Sequence, residues 1–501
     1  MSTLTTIRPE LLRLSQDQVG VLTPYFLILS GIILAILASV LKIFSPKWPV
    51  FILVIAACGA GVSESFRLLD QSPVLLFNGM MISDTYSNFF NILFLLAALF
   101  TSIISFRYLD REKLQHPEYF ILLLFSALGM MLMASSLDLI VIFIALELMS
   151  IAVYVLVGFR RADRRSNEAA MKYFILGSAA SAILLYGVAL IYGATGHTQL
   201  KMIFTVMQIH PESTSPVFML GAILVLIGFL FKVSCVPFHM WMPDVYEGAP
   251  IPVTGFMATG LKAAAFATLV RVFITMGYGR GLSEILQHRV HDLLWVSAVL
   301  TMGVGSFVGL TQTNLKRLLA YSSIGHSGYL LIGVIAGSKS DLSFAPGVFY
   351  LSIYAVMNLG VFIVLGLLSS RDDSGLNIHD LAGLSRRHPW IAFSLAVFIL
   401  AMAGIPPTSG FVAKYLLFYS AIQADEIILT IIAVLCSAVS VYYYLRILVY
   451  MYMMEPMGSP RLLRVPLWTG FTVAAMVVFT IHMGILPAGL VDLARKAITS
   501  L

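Results

Sequence analysis

Charge is what this sequence has least of. Only 11% of its 501 residues are Asp, Glu, Lys or Arg, against about 25% in an ordinary soluble domain. Hydrophobic residues make up 59%, with a mean hydropathy of +0.92, so the chain reads as an integral membrane protein. Cysteine is also scarce: Cys58, Cys235 and Cys436 lie far apart in apolar segments, without a CxxC pair or a Cys-His cluster. That excludes a disulfide scaffold and argues against an iron–sulfur or zinc site. Long polar connections are missing too, and there is neither a glycine-rich dinucleotide fingerprint nor a Walker loop, so ATP or NADH chemistry on this chain is not expected. The net charge of +6 comes without an arginine-rich surface beyond Arg160, Arg161, Arg164 and Arg165. That run flanks an apolar segment and reads as a cytoplasmic membrane anchor, not as a nucleic-acid site.

What is abundant is apolar run length. A helix needs about 20 apolar residues to cross the hydrocarbon, and fourteen runs near that length can be drawn: 25–44, 49–66, 86–106, 119–135, 138–159, 169–192, 217–240, 252–277, 291–310, 319–337, 346–369, 390–423, 427–453 and 467–486. The first is too long for a signal-peptide core and lacks a small-residue exit, so it is expected to stay as a span. The expected fold is all-α integral membrane, with about 14 transmembrane helices. An even count puts both termini on one side. Connections after odd-numbered spans carry the larger share of Lys and Arg, Lys42, Arg111, Arg160, Lys316, Arg371, Arg461 and Arg464 among them. These are expected to face the cytoplasm, and both termini the periplasm.

Four ionisable residues are embedded in this background: Glu147, Lys232, Lys262 and Lys414. A charge at the bilayer centre costs at least roughly 2.5 to 3.5 kcal/mol, so each needs a partner, a wet cavity or a task. Glu147 and Lys262 sit about nine or ten residues into their spans, roughly 14 Å from an end. The other two flank interruptions. Pro237 and Pro243 break the seventh span, and Pro406-Pro407 followed by Ser409-Gly410 breaks the twelfth, because proline removes an amide donor and clashes with the preceding turn. Paired broken helices point to an internal repeat. The unit is five spans, 4–8 and 9–13, and an odd unit is inverted. The predicted division is 1–115 for the first three spans, 116–280 and 281–455 for the repeats, and 456–501 for the last span.

Burial disfavours an ammonium and a nearby carboxylate restores it. Moving a proton against about 150 mV costs roughly 3.5 kcal/mol, an amount that losing one ion-pair partner can supply. Glu147 paired with Lys232 is therefore a candidate switch, the alternative being a static ion pair that locks two helices. His326, beside Ser322, Ser323 and Ser327, is either a proton relay or a satisfied core histidine. His239 and His482, near span ends, read as interfacial packing, and Asp244 and Glu247 as residues that shape a connection. The 24 methionines are assigned no cofactor role.

The stretches ALELMSIAVYVLVGF, FLFKVSCVPFHMWMPDVYEGAPIPVTGF, TQTNLKRLLAYSSIGHSGYLLIGV, AGIPPTSGFVAKYLLF and VYYYLRI together resemble the antiporter-like subunits of respiratory complex I, the proton-pumping NADH:quinone oxidoreductase. Within that family the chain is similar to the N-type branch: M-type members typically carry glutamate where Lys414 stands, and L-type members continue into a lateral helix. Three spans before the motif-bearing block, and no plastid transit peptide, point to a bacterial inner membrane. The resemblance implies 14 helices with two inverted five-helix repeats, and a proton path through Glu147, Lys232, Lys262, His326 and Lys414. It also implies no redox cofactor on this chain. FMN and iron–sulfur clusters would sit on partner subunits, and the direct neighbours would be the antiporter-like M and L subunits and small membrane subunits. Alanine at 413, where glycine commonly precedes the lysine, departs from the family pattern and bears on local packing. The main alternative is a membrane subunit of a cation/proton antiporter or of an energy-converting hydrogenase. A solute transporter is a separate class, for which a substrate recognition site is wanting.

Overall fold

Backbone amides have no water to bond inside a bilayer, so a chain this apolar closes its hydrogen bonds within helices. The computed structural model describes residues 15–41, 47–114, 116–209, 215–278, 284–337, 344–370, 373, 375–456 and 465–501. Among them twelve helices are long and apolar enough to cross a membrane: the first span Gln18–Leu41, second Lys47–Asp70, third Thr85–Arg111, fourth Glu118–Ser135, fifth Leu139–Val157, sixth Arg164–Thr195, eighth Ile251–Thr275, ninth Ile285–Thr311, tenth Leu315–Ala336, eleventh Ala345–Leu368, thirteenth Ile427–Met453 and fourteenth Leu467–Ile485. The seventh and twelfth spans are each split, into Pro216–Lys232 with Trp241–Gly248, and Pro389–Ala403 with Ser409–Gln423. All fourteen predicted runs therefore find a helical counterpart, and the two interruptions fall where proline placed them. Of the basic residues used to orient the chain, Lys42, Arg371, Arg461 and Arg464 lie outside the described residues.

Two features were not expected. A short hairpin, Val74–Leu76 paired antiparallel with Met81–Ser83, joins the second and third spans. After the last span a short amphipathic helix, Ala488–Thr499, buries Ala494, Ala497 and Ile498 and is tied to the third span by the Tyr86 amide donating to Ser500 Oγ (3.1 Å). The eighth, tenth and eleventh spans are the most enclosed, whereas the first, second and fourteenth expose much of their surface. Charge-bearing residues on the enclosed helices are thus held away from lipid.

The two breaks are alike in backbone detail. Each half-helix ends in a left-handed residue, Ser234 (φ 60°) and Gly404 (φ 81°). The next amide reaches back five residues, Cys235 to the Leu230 carbonyl (2.9 Å) and Ile405 to the Leu400 carbonyl (3.1 Å), which is the pattern of a Schellman cap. A cis proline, Pro237 or Pro407, follows three residues after the left-handed position. A second correspondence joins span starts five apart. Asp138 caps the fifth span by accepting from the Ile140 and Val141 amides, and Asn314 caps the tenth by accepting from those of Lys316 and Arg317. Beside each cap runs the same reciprocal pair: Leu139 N to Thr198 O with Leu200 N to Leu137 O, and Leu315 N to Leu376 O with Ile378 N to Thr313 O.

Candidate functional site

The five predicted residues lie on five different spans, and the fold draws them into one buried axis. Lys232, the last residue of its half-helix, is 7% exposed, Lys262 2%, Lys414 6% and His326 2%.

Each lysine ends on a hydroxyl, and Lys262 and Lys414 on a backbone carbonyl as well. Lys232 Nζ donates to Ser150 Oγ (2.9 Å) and reaches Tyr154 Oη at 3.4 Å, both on the fifth span. Lys262 Nζ donates to the Ser323 carbonyl (2.6 Å) and Oγ (2.5 Å) of the tenth span, and Tyr354 of the eleventh span donates to that same Oγ (2.6 Å). Lys414 Nζ bonds Ser437 Oγ (2.9 Å) on the thirteenth span and the Ala403 carbonyl (3.1 Å) freed by the twelfth-span break. The matching carbonyl of the other break, Val233, accepts from Ser327 Oγ (2.6 Å). Helix interruption therefore supplies acceptors on the axis in both places.

The expected Glu147–Lys232 ion pair is not formed. Glu147 Oε1 is buried without a hydrogen-bond partner, and Ser150, one turn further along the same face, takes the Lys232 ammonium instead. Among the described residues none of the three lysines has a carboxylate partner within ion-pair distance. A cavity of about 10 Å³ is bordered by both Lys232 and Lys262, with Ser234, Trp241 and Tyr246, which is at the lower limit for admitting one water.

His326, on the tenth span, links the eleventh and thirteenth. Its Nδ1 meets Tyr350 Oη (2.6 Å) and its Nε2 meets Tyr444 Oη (3.1 Å), and Tyr444 in turn bonds Ser322. Its ring lies 4.9 Å from that of Tyr354, on the Lys262 side, and 5.8 Å from that of Tyr329. Lys414 Nζ lies 5.3 Å from the Tyr329 ring. Of the two readings, the geometry satisfies the histidine at both nitrogens and also threads it into the axis. Hydroxyls both donate and accept, so within each of these clusters lysine, serine, tyrosine and histidine can exchange protons along their hydrogen bonds.

The remaining candidates lie apart from the axis. His239 is partly exposed with Nδ1 unpartnered, and His482 is exposed at a span end. Asp244 bonds Lys172 (2.8 Å) and Arg317 (2.8 Å), and Glu247 also bonds Arg317 (2.9 Å), clasping a connection to the sixth and tenth spans. The structure buries more charges than the four that stand out in the sequence. Arg271 (1% exposed) grips Asp84 (1%) through two 2.9 Å bonds, and Lys316 (2%) donates to the Ala249 carbonyl (2.5 Å). Ser150, Tyr154, Ser323, Tyr350, Tyr354, Ser437 and Tyr444 were missed as site residues. For Ser150 and Tyr154 a signal existed, since they follow Glu147 at helical spacing.

Comparison with known proteins shows the family and the fold. Residues 136–440 match the family described as NADH:quinone oxidoreductase/Mrp antiporter, transmembrane. NADH-quinone oxidoreductase subunit N of Trichlorobacter lovleyi is 43% identical over 428 residues, 85% of this chain and 86% of that protein. The subunit N of Paramagnetospirillum magneticum is 41% identical over 96% of this chain and 97% of its own. A chain of respiratory complex I from Thermus thermophilus superposes with a TM-score of 0.80 at 33% identity, covering 94% of this chain and 99% of that one.

Proposed function

This chain belongs to the NADH:quinone oxidoreductase/Mrp antiporter transmembrane family, and on that premise we propose that it is the N-type membrane-arm subunit of a proton-translocating NADH:quinone oxidoreductase. It is a multi-pass membrane protein of bacterial type. Oxidation of NADH and reduction of quinone take place on partner subunits, which carry the FMN and iron–sulfur clusters. Its own part is to move protons. Glu147 tunes Lys232, Lys232 exchanges a proton with Lys262 across their shared cavity, His326 and its tyrosines carry it on, and Lys414 is the terminal exchanger. The observation that carries this reading is that three deeply buried lysines each end on a hydroxyl with no carboxylate within ion-pair distance, and that His326 and its tyrosines stand between Lys262 and Lys414.

The division 1–115, 116–280, 281–455 and 456–501 belongs to the same proposal, the congruent breaks and congruent caps supporting two inverted five-span repeats. So does its placement in the inner membrane with both termini in the periplasm, supported by the excess of basic residues in the opposite connections. A role in a cation/proton antiporter is the second reading, since the matched family spans both kinds of complex, but N-subunit relatives at 41–43% identity favour the first. The test is the ratio of protons pumped to electrons transferred in membranes holding the assembled enzyme. Lys262→Met and Glu147→Gln are each expected to lower it; the wild-type ratio in both variants sinks the proposed path.

A further inference from the structure

A dry cavity of about 370 Å³ opens between the third, eleventh and fourteenth spans and the C-terminal amphipathic helix. Along the third span it extends from Phe89 to Phe100, eleven residues or about 16 Å at 1.5 Å each. That is close to half of a hydrocarbon core about 30 Å thick, the depth of one leaflet. Hydroxyls line it at Thr259 and Ser352, and both turn to carbonyls of their own helices, Gly255 (2.9 Å) and Val348 (3.0 Å). Nothing in the wall holds water, and an apolar cavity of this kind takes hydrocarbon instead.

Charges of both signs neighbour the lining residues at one end. Leu69 of the second span and Leu490 and Leu493 of the C-terminal helix line that end. Around them stand Arg67 paired with Glu64, and Lys496 paired with Asp70. Asp492 and Arg495 are exposed on the same helix. Three cations and three carboxylates match a headgroup that is itself zwitterionic, not an anionic one. An amphipathic helix of this kind suits the interface plane, where its charges would stand at headgroup level.

We propose that this cavity is a phospholipid site, one acyl chain lying along the third span and a zwitterionic headgroup resting among Arg67, Lys496 and Arg495. The chain's inner end abuts Thr259, which lies in the wider π turn Met257–Leu261 immediately before Lys262, and Ser352, two residues before Tyr354. The lipid thus props the two helices that present Lys262 and the tyrosine hydroxyl beside it. Lipid binding stands on the cavity alone; its effect on pumping rests on the function proposed above.

Native mass spectrometry of the intact complex is the test. Wild type is expected to retain one phosphatidylethanolamine on this subunit that the double variant Ala97→Phe, Ala475→Phe loses, both alanines lining the cavity. Equal retention by both, no retained lipid in wild type, or recovery of a quinone in its place overturns the site. Should the variant not assemble, the wild-type complex is placed in vesicles of phosphatidylethanolamine bearing a diazirine on the acyl chain. Light-induced adducts are then expected within Phe89–Phe100 and Leu490–Leu493, and adducts confined to the outward faces of the first and sixth spans overturn it. If the lipid is lost while protons per electron stay at the wild-type value, the support given to Lys262 is refuted and the function is not.

Discussion

At the scale of residues, the lysines differ from ordinary buried charges in what they touch. A buried ion pair fixes charge in place, and breaking it is costly. Lys232 meets hydroxyls, and Lys262 and Lys414 hydroxyls and carbonyls, instead, so each can gain or lose a proton without breaking an ion pair. The hydroxyls then modulate the lysines. Tyr354→Phe removes the donor to Ser323 Oγ, a loss worth about 1 kcal/mol. It is expected to slow proton translocation by roughly fivefold, measured by pH-dye quenching in proteoliposomes, with assembly unchanged. The lysines were legible in sequence because a charge in an apolar run stands out at once. Their partners were not. Ser323 lies 61 residues from Lys262 and Ser150 82 from Lys232, and serine and tyrosine are unremarkable inside membrane helices until the fold brings them together. The same reasoning explains the unformed Glu147–Lys232 pair: depth alone placed both groups in one layer, but a serine one turn beyond the glutamate lies nearer the ammonium.

At the scale of elements, the breaks do the positioning. Prolines advertised them, but the left-handed residue that ends each half-helix did not announce itself, because one is Ser234 and the other Gly404. Nor could sequence reveal that both freed carbonyls, Val233 and Ala403, would be taken by side chains of the axis. The twelfth-span break is held tightly. A Cβ on Gly410 would stand 1.8 Å from the Ala401 carbonyl oxygen, a backbone atom that cannot swing aside. Gly410→Ala is expected to force the two half-helices apart, at a cost of at least about 1–3 kcal/mol, lowering both the melting temperature in detergent and the proton-to-electron ratio. Gly347→Ala, where the space is open, serves as the control and is expected to change neither.

At the scale of the whole molecule, the N-terminal three spans need a fastening to the body that contains the axis. Asp84, the cap of the third span, and Arg271, nine residues after Lys262 on the eighth, provide it, with Arg271 Nε also donating to the Ala134 carbonyl (2.6 Å). Removing one partner leaves the other charged and buried, so Arg271→Met is expected to cost about 3–5 kcal/mol, and pairing it with Asp84→Leu to recover part of that. Thermal unfolding of the purified complex reads both. This fastening was invisible in sequence, since Asp84 sits at a span end, where an acidic residue reads as an ordinary helix cap.

The hydroxyl-lined axis has one more consequence. A carboxylate–lysine pair has a preferred state, but a serine or tyrosine hydroxyl, which donates one hydrogen bond while accepting another, can relay a proton in either direction, so the proposed relay contains no arrow. Left alone in a membrane, it would only equilibrate the two sides. A ligand or partner shifts an equilibrium only by what it binds differently in each state, so rectification has to arrive from the neighbouring subunits, timed by their electron transfer. On the proposed path the wire is built in, and the diode is borrowed.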